Sequence, residues 1–469
     1  MTPTDTLATL PRPDPPHHVP REHAVSFWGF FRALRANPLA AWPARAYREP
    51  FVVFPGNRFL PDLVFVTDPS MVKAVHLDDA RLYDKGDVVR RRLAAALGDA
   101  LLIAPEASWR PQRRVIAPIF ASRRVETFAP DMVAVARAVS TEIAGKAGAV
   151  FDAHEAMLGL AYGVIERTAF SSDGVTDPLA FSRAIARYFE TVGRIDAASF
   201  LNLPAWVPTV DRLRARPALA LFRREIGGVI ARRRERIARE GLAAAPDDLL
   251  TRLIATPDPQ TGERLPDALV HDNTMVFFAA GHETTANTLS WALLLLATHP
   301  EWDAAVADEI ARVVGAGDPT IDDLGRLSLT RMVLDETLRL YPAAPFLPRM
   351  PMEDVDLGPL RLRAGSIVMT SPYVSQRHRA HWEAPDAFRP ERFAPDKRDA
   401  IDRFVYFPFG AGPRICIGQA FAVQEILIAL VELLRRHRFV AVAPEAVIPK
   451  AAVTLAPKGG LPLRAVPRA

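Results

Sequence analysis

From Pro266 to Thr298 the sequence reads as a single helix, about 50 Å long at 1.5 Å per residue and well beyond the average for a globular protein. A rod of that length must cross the whole molecule, and the rest of the chain has to pack around it. Asp272, His282 and Glu283 interrupt its apolar run before 18 residues accumulate, which excludes a membrane span. Its middle is costly. Ala280-Gly281-His282-Glu283-Thr284-Thr285 sets a glycine, worth about 1 kcal/mol of lost helix propensity, beside two β-branched residues that weaken helix further. That cost points to a use: Gly281 leaves room for a small ligand, and Thr284 can bond the Ala280 carbonyl and open a groove. His282-Glu283 also begins a His-Glu-x-x-His zinc signature, but position 286 is alanine and the second ligand is missing.

Cys416 is the one cysteine in 469 residues, which rules out an internal disulfide. It lies in Phe409-Gly410-Ala411-Gly412-Pro413-Arg414-Ile415-Cys416-Ile417-Gly418, and the stretch Gln419 to Arg436 after it reads as an amphipathic helix. Glycines in such a loop let backbone N–H groups turn toward one sulfur, and a helix N-terminus favours negative charge. Both effects favour a thiolate. A buried packing cysteine is the alternative, since free Cys is among the most buried residue types. A cysteine nucleophile would need an activating histidine, for which there is no local signature.

Phe409, Gly412, Arg414, Cys416 and Gly418 fill every fixed position of Phe-x-x-Gly-x-Arg-x-Cys-x-Gly, so the loop resembles the haem-binding loop of the cytochrome P-450 family, where the thiolate donates electron density to haem iron. Four further segments resemble that family and occur in its order: Trp109-Arg110-Pro111-Gln112-Arg113, the run 280–285, Glu336-Thr337-Leu338-Arg339, and Pro390-Glu391-Arg392-Phe393. By this resemblance Cys416 is the iron ligand, and Phe409, Gly412 and Gly418 shape its loop. Trp109, Arg113, Arg349 and Arg414 would address the haem propionates, for which arginine forks are suited. Thr284 would hydrogen-bond at the oxygen site and Glu283 would relay protons from solvent. Glu336, Arg339 and Arg392 would form a buried network that seats the haem loop. Gln376, in Ser375-Gln376-Arg377-His378, departs from the histidine often found there, which leaves the polar contact from that strand open.

The resemblance implies a mainly α fold with a small β region, the family's triangular helical prism enclosing haem b (iron protoporphyrin IX). One catalytic domain would span residues 23–469, with β structure at about 51–67 and 353–372. The implied activity is that of a soluble, bacterial-type monooxygenase, which inserts one atom of O2 into a lipophilic organic substrate and releases the other as water. Phe277, Ala280 and Val453 would line its pocket. A peroxide-using or non-oxidative haem-thiolate enzyme, or a non-catalytic haem sensor, would share the fold, and Glu283 with Thr284 argues against these. No dinucleotide fingerprint or P-loop appears, so no reductase is fused. Electrons would come from a separate ferredoxin or flavodoxin, drawn to Arg110–Arg114 or Arg435–Arg438 if these are more than solvated faces.

Composition narrows the setting. Apolar residues at 49% and charged residues at 24% are ordinary for a globular protein, and a net charge of +4 is no nucleic-acid footprint. The chain opens on neither a secretory signal nor the apolar anchor of membrane-bound family members, so a cytoplasmic protein is expected, and separately a monomer. Residues 1–22 instead carry Pro3, Pro11, Pro13, Pro15, Pro16 and Pro20 and read as an extended arm. The stretch Phe27 to Tyr47, with Trp28, Phe30, Phe31, Leu34 and Trp42 among arginines, reads as a first helix packed on the body rather than a surface-seeking segment. Strand patterns appear at Phe51–Phe54 and Leu63–Val66, and Asp68-Pro69 opens a helix. Val355–Leu357, Leu360–Leu362 and Ser366–Thr370, separated by turns, read as successive antiparallel strands, with the distant segments sharing one sheet. Between them the chain is helical, with breaks at Pro204, Pro208, Pro257, Pro300 and Pro319.

Overall fold

The computed structural model describes residues 14–22, 27–57, 61–171 and 210–468, with a few positions between 174 and 188. Pro3, Pro11, Pro13, Pro204 and Pro208 lie outside the described residues, as do the side chains of Trp28, Phe30 and Phe31. The principal helices are α1 (Phe27–Ala36), α2 (Asp87–Leu97), α3 (Glu106–Ile116), α4 (Ala129–Ala144), α5 (Ala153–Phe170), α6 (Val210–Glu240), α7 (Asp267–Thr298), α8 (Pro300–Val313), α9 (Ser328–Leu340) and α10 (Gln419–Leu434). Pro300 opens α8 at its first turn, where a missing N–H costs nothing, and Asp68 caps the short helix Pro69–Lys73 by accepting from the Ser70 and Met71 amides.

The long helix is α7, and it is buried along most of its length from Val270 to Leu296. It packs along α5 and against α10, while α4 closes the group by packing on both α5 and α10. Aromatic rings mesh these helices: Phe170 stacks on Phe278 at 4.2 Å and Trp291 on Tyr341 at 4.1 Å. α10 differs from its expected amphipathic pattern. From Phe421 to Leu434 nearly every side chain is buried, including Gln424, Glu425 and Glu432, because neighbouring helices cover it on several sides.

The strands are β1 (Phe51–Phe54), β2 (Leu63–Val66), β3 (Tyr83–Asp84), β4 (Val150–Asp152), β5 (Leu347–Pro351), β6 (Val355–Leu357), β7 (Leu360–Leu362), β8 (Ile367–Thr370), β9 (His437–Ala441), β10 (Pro449–Ala451), β11 (Leu455–Pro457) and β12 (Pro462–Pro467). Distant segments do share a sheet, in the order β1-β2-β8-β5-β3. The expected run of three antiparallel strands is corrected, however. β6 and β7 form a separate hairpin, and β8 runs parallel to β2 with Leu63 opposite Ile367. β strands also lie beyond the expected ranges, in the sheet β4-β12-β9 and the hairpin β10-β11.

The described part of the proline-rich arm lies on the body. The Tyr341 hydroxyl donates to the Pro16 carbonyl at 2.7 Å, and the His18 amide donates to the Tyr373 hydroxyl at 3.1 Å. Trp42 is core, packed edge-on to Phe65 at 4.3 Å, which agrees with a segment packed on the body.

Candidate haem-thiolate site

The loop before α10 leaves its one sulfur accessible. Cys416 is exposed there, its amide donates to the Phe409 carbonyl at 2.9 Å, and the Gly418 amide at the mouth of α10 points to the sulfur. Gly412 takes φ +69° and rests against the His76 backbone, so the loop's path needs glycine at that point. The Gly418 amide favours the thiolate, as expected of the loop. Although the side chain stays accessible, desolvation by the protein around it pushes the Cys416 thiol above its ordinary value, and the Gly418 amide, Arg113 and Lys85 act in the other direction. A metal bound at this sulfur would favour the thiolate.

Cations surround the sulfur. From α3, Arg113 donates to the Ile415 carbonyl at 3.0 Å. Arg414 stacks over Trp109 at 4.7 Å and reaches the Ala104 carbonyl at 2.9 Å and Glu106 at 3.0 Å. Arg349, on β5, is buried and donates to the Pro348 carbonyl; burial and nearby Arg414 push it down to about 10. Lys85, which sequence reasoning missed, points to the Leu102 carbonyl, and burial followed by Arg349 and Arg414 pushes its ammonium down to about 7. Neither Lys85 nor Arg349 has a carboxylate within ion-pairing distance among the described residues. Desolvated cations lacking carboxylate partners fit an anionic group, and two propionates would supply it.

Beneath the loop the expected network is present. Glu336 and Arg339 are fully buried on α9 and paired through both oxygens at 2.6 and 2.7 Å. The remaining guanidinium donors reach the carbonyls of Gln376, Pro385 and Ala387. Arg392 joins at 3.6 Å from Glu336. Gln376 settles the contact left open: it caps the short helix Pro372–Ser375 rather than lying on a strand, donates to the Leu338 and Arg339 carbonyls, and accepts from the Phe407 amide at 3.1 Å.

On α7, Thr284 donates to the Ala280 carbonyl at 2.6 Å as expected, and Ala280 faces open space. Gly281 serves differently. A Cβ there would lie 2.6 Å from Cδ1 of Ile165, so the missing side chain makes room for α5 rather than for a ligand. Glu283 accepts from the Thr454 hydroxyl at 2.6 Å. Phe277 is buried edge-to-face on Phe120 at 5.3 Å, and Val453 is partly buried at the β10–β11 turn. Glu425 was also missed. It is buried on α10, accepts from Thr285 at 3.3 Å, and desolvation pushes its carboxyl well above the usual range. Its only signal was an acid inside an Ile-Leu-rich run.

An accessible loop thiol with Arg113 and Lys85 beside it, in a chain that also buries a carboxylate–guanidinium pair at Glu336 and Arg339, is the arrangement of a haem-thiolate protein. A family model described as Cytochrome P-450 matches residues 44–462. Pentalenene oxygenase of Streptomyces avermitilis is 35% identical over 81% of this chain and 82% of its own length, and cyclooctatin synthase of Streptomyces melanosporofaciens is 32% identical over 92% and 90%. Cyclooctat-9-en-7-ol 5-monooxygenase of the latter organism is 30% identical over 93% and 92%. A solved cytochrome P-450 haem domain superposes with a TM-score of 0.82 at 26% identity, covering 97% of this chain and 98% of that one. The chain belongs to the cytochrome P-450 family and is a haem-dependent monooxygenase, an oxidoreductase that incorporates oxygen from O2. No described helix is long and apolar enough to cross a membrane.

Proposed function

We propose that Cys416 is the iron ligand, that Trp109, Arg113, Arg349 and Arg414, with Lys85, hold the haem edge, and that Phe409, Gly412 and Gly418 shape the loop. When bound, haem supplies the activation of O2 by two electrons, so that one atom enters the substrate and the other leaves as water. The chain's own residues do the rest. Glu336, Arg339 and Arg392 hold the loop rigid from below. Thr284 keeps a hydroxyl at the groove over Ala280, and Glu283 moves protons to it from solvent. Residues 23–469 act as one catalytic domain, with 1–22 as an arm. The observation that carries this reading is the cation set at the cysteine loop: Arg113 donates to the Ile415 carbonyl at 3.0 Å, and buried Arg349 has no carboxylate within ion-pairing distance among the described residues.

The substrate is lipophilic, met by Phe277, Ala280 and Val453. The relatives' names point to cyclic hydrocarbon skeletons, with pentalenene and cyclooctat-9-en-7-ol as first probes. The enzyme works as a cytoplasmic monomer with a ferredoxin- or flavodoxin-type donor. Of the two arginine-rich segments, Arg110–Arg114 is the better dock, because it lies on α3, whose Arg113 touches the cysteine loop. Arg435–Arg438 lies past the far end of α10, about 24 Å along the helix from the loop.

The test is the absorption of the reduced protein with carbon monoxide. A Soret band red-shifted far beyond that of a histidine-ligated haem is expected, and Cys416→Ala should abolish it. A histidine-like band in folded protein overturns the reading.

A further inference from the structure

We infer that Thr454, at the turn between β10 and β11, positions the Glu283 carboxylate for proton transfer, at the end of a one-way hydrogen-bond chain that starts at His154. This deepens the proposed role of Glu283 and rests on it. Glu283 and Asn287 are one turn apart on α7 and share a face. Against that face the Thr454 hydroxyl lies 2.6 Å from Glu283 Oε1 and 3.2 Å from Asn287 Nδ2, and Asn287 Oδ1 lies 2.8 Å from His154 Nε2 at the start of α5. Asn287 is fully buried and Thr454 is 8% exposed.

The direction of every proton in this chain follows from its end. With Glu283 in its ionised form, the carboxylate offers only lone pairs, so the single Thr454 proton goes to Glu283. Thr454 then has only lone pairs for Asn287, which must present its NH2 group. That leaves the amide oxygen facing His154, and His154 must carry its proton on Nε2. Each donor therefore points toward Glu283, and bonds aligned in this way polarise one another and strengthen the last one, which is short and charge-assisted.

The hydroxyl is also held still. The Trp291 indole donates to the Leu455 carbonyl at 3.0 Å, the Leu455 amide to the Ala343 carbonyl at 3.0 Å, and Asn37 bonds both Pro449 and Ala451. A glutamate side chain has several rotamers to lose, and a donor fixed on a rigid hairpin selects one of them. Thr454, Asn287 and His154 are thus positioning residues for Glu283. Neither the helix motif nor the hairpin pattern shows this, because the three lie on separate elements.

The test uses the holoenzyme with Thr454→Val, which keeps shape and removes the donor, and Thr454→Ser, which keeps the donor. Infrared difference spectra would follow the Glu283 carboxylate band, identified by its absence in Glu283→Gln. Thr454→Val is expected to shift that band and to raise the hydrogen peroxide released per product by about fivefold, the factor for one lost hydrogen bond, with the carbon monoxide band unchanged. Thr454→Ser should restore both. A wild-type band and peroxide yield in Thr454→Val overturn the inference. Should Thr454→Val fail to fold, the 15N shifts of His154 in the wild-type protein decide instead: an Nε2–H tautomer supports the chain and an Nδ1–H tautomer overturns it. A wild-type protein without the red-shifted band would overturn the haem-thiolate reading while leaving the infrared and nitrogen signals to judge the hydrogen-bond chain by themselves.

Discussion

Gly412 in the cysteine loop lies so close to His76 that a Cβ built on it would sit 1.7 Å from the His76 carbonyl oxygen. The obstacle is backbone, which cannot swing aside, and φ of +69° adds the strain of the left-handed region. Gly412→Ala is expected to cost about 3 kcal/mol or more and to yield protein largely free of haem, read by denaturant midpoint and haem content.

Arg339 spends all five N–H groups, two on Glu336 and the others on the Gln376, Pro385 and Ala387 carbonyls. A lysine has no planar fork and leaves carbonyls unmet. Arg339→Lys and Glu336→Ala should each lose about 3–5 kcal/mol, since each leaves a buried charge or fork without its partner. Urea titration of the purified variants measures it, and a loss within 1 kcal/mol would show the pair to be dispensable.

Arg349 is buried and has no carboxylate partner among the described residues, so it burdens the haem-free fold and serves the loaded one. Arg349→Leu is therefore expected to raise the melting temperature of haem-free protein and to lower that of the holoprotein, with faster loss of haem to an acceptor. Equal shifts in both forms would contradict this.

Glu425 has its carboxyl pushed well above the ordinary value by burial. An unfolded glutamate gives up its proton near pH 4.3, whereas the folded one keeps it, so above that pH the folded state binds more protons and stability falls as pH rises. Glu425→Gln removes the penalty. Its melting temperature should exceed that of the wild type by a margin that is largest at pH 8 and shrinks toward pH 5.

Gly281→Ala should gain helix propensity but drive a methyl into Ile165, 2.6 Å away. Ile165→Val removes the obstructing Cδ1. The double variant is expected to be more stable than Gly281→Ala alone, by about 1 kcal/mol in a thermodynamic cycle.

Much of this was legible in local pattern. The helix expected at 266–298 is Asp267–Thr298, the breaks at Pro257 and Pro319 fall between helices while Pro300 opens the next one, and the strands at 51–54 and 63–66 form as expected. Those signals repeat within a few residues. The parallel pairing of Leu63 with Ile367 was not legible, because nothing near either segment encodes a partner some three hundred positions away. The same reason hid Lys85, a single lysine in a polar turn, and Gln376, whose role lies in the backbone groups it reaches.

Residue order alone settled the loop around Cys416, the central helix and the Glu336–Arg339 spacing, since each is a contiguous motif whose chemistry is carried by neighbours in the chain. Only tertiary structure decided that Gly281 yields to Ile165, that Lys85 and Arg113 stand beside the Cys416 thiol, and that Thr454 on a distant hairpin holds Glu283. Close packing, desolvation and hydrogen-bond direction depend on which remote atoms arrive at a point, and that is fixed by the folded chain as a whole.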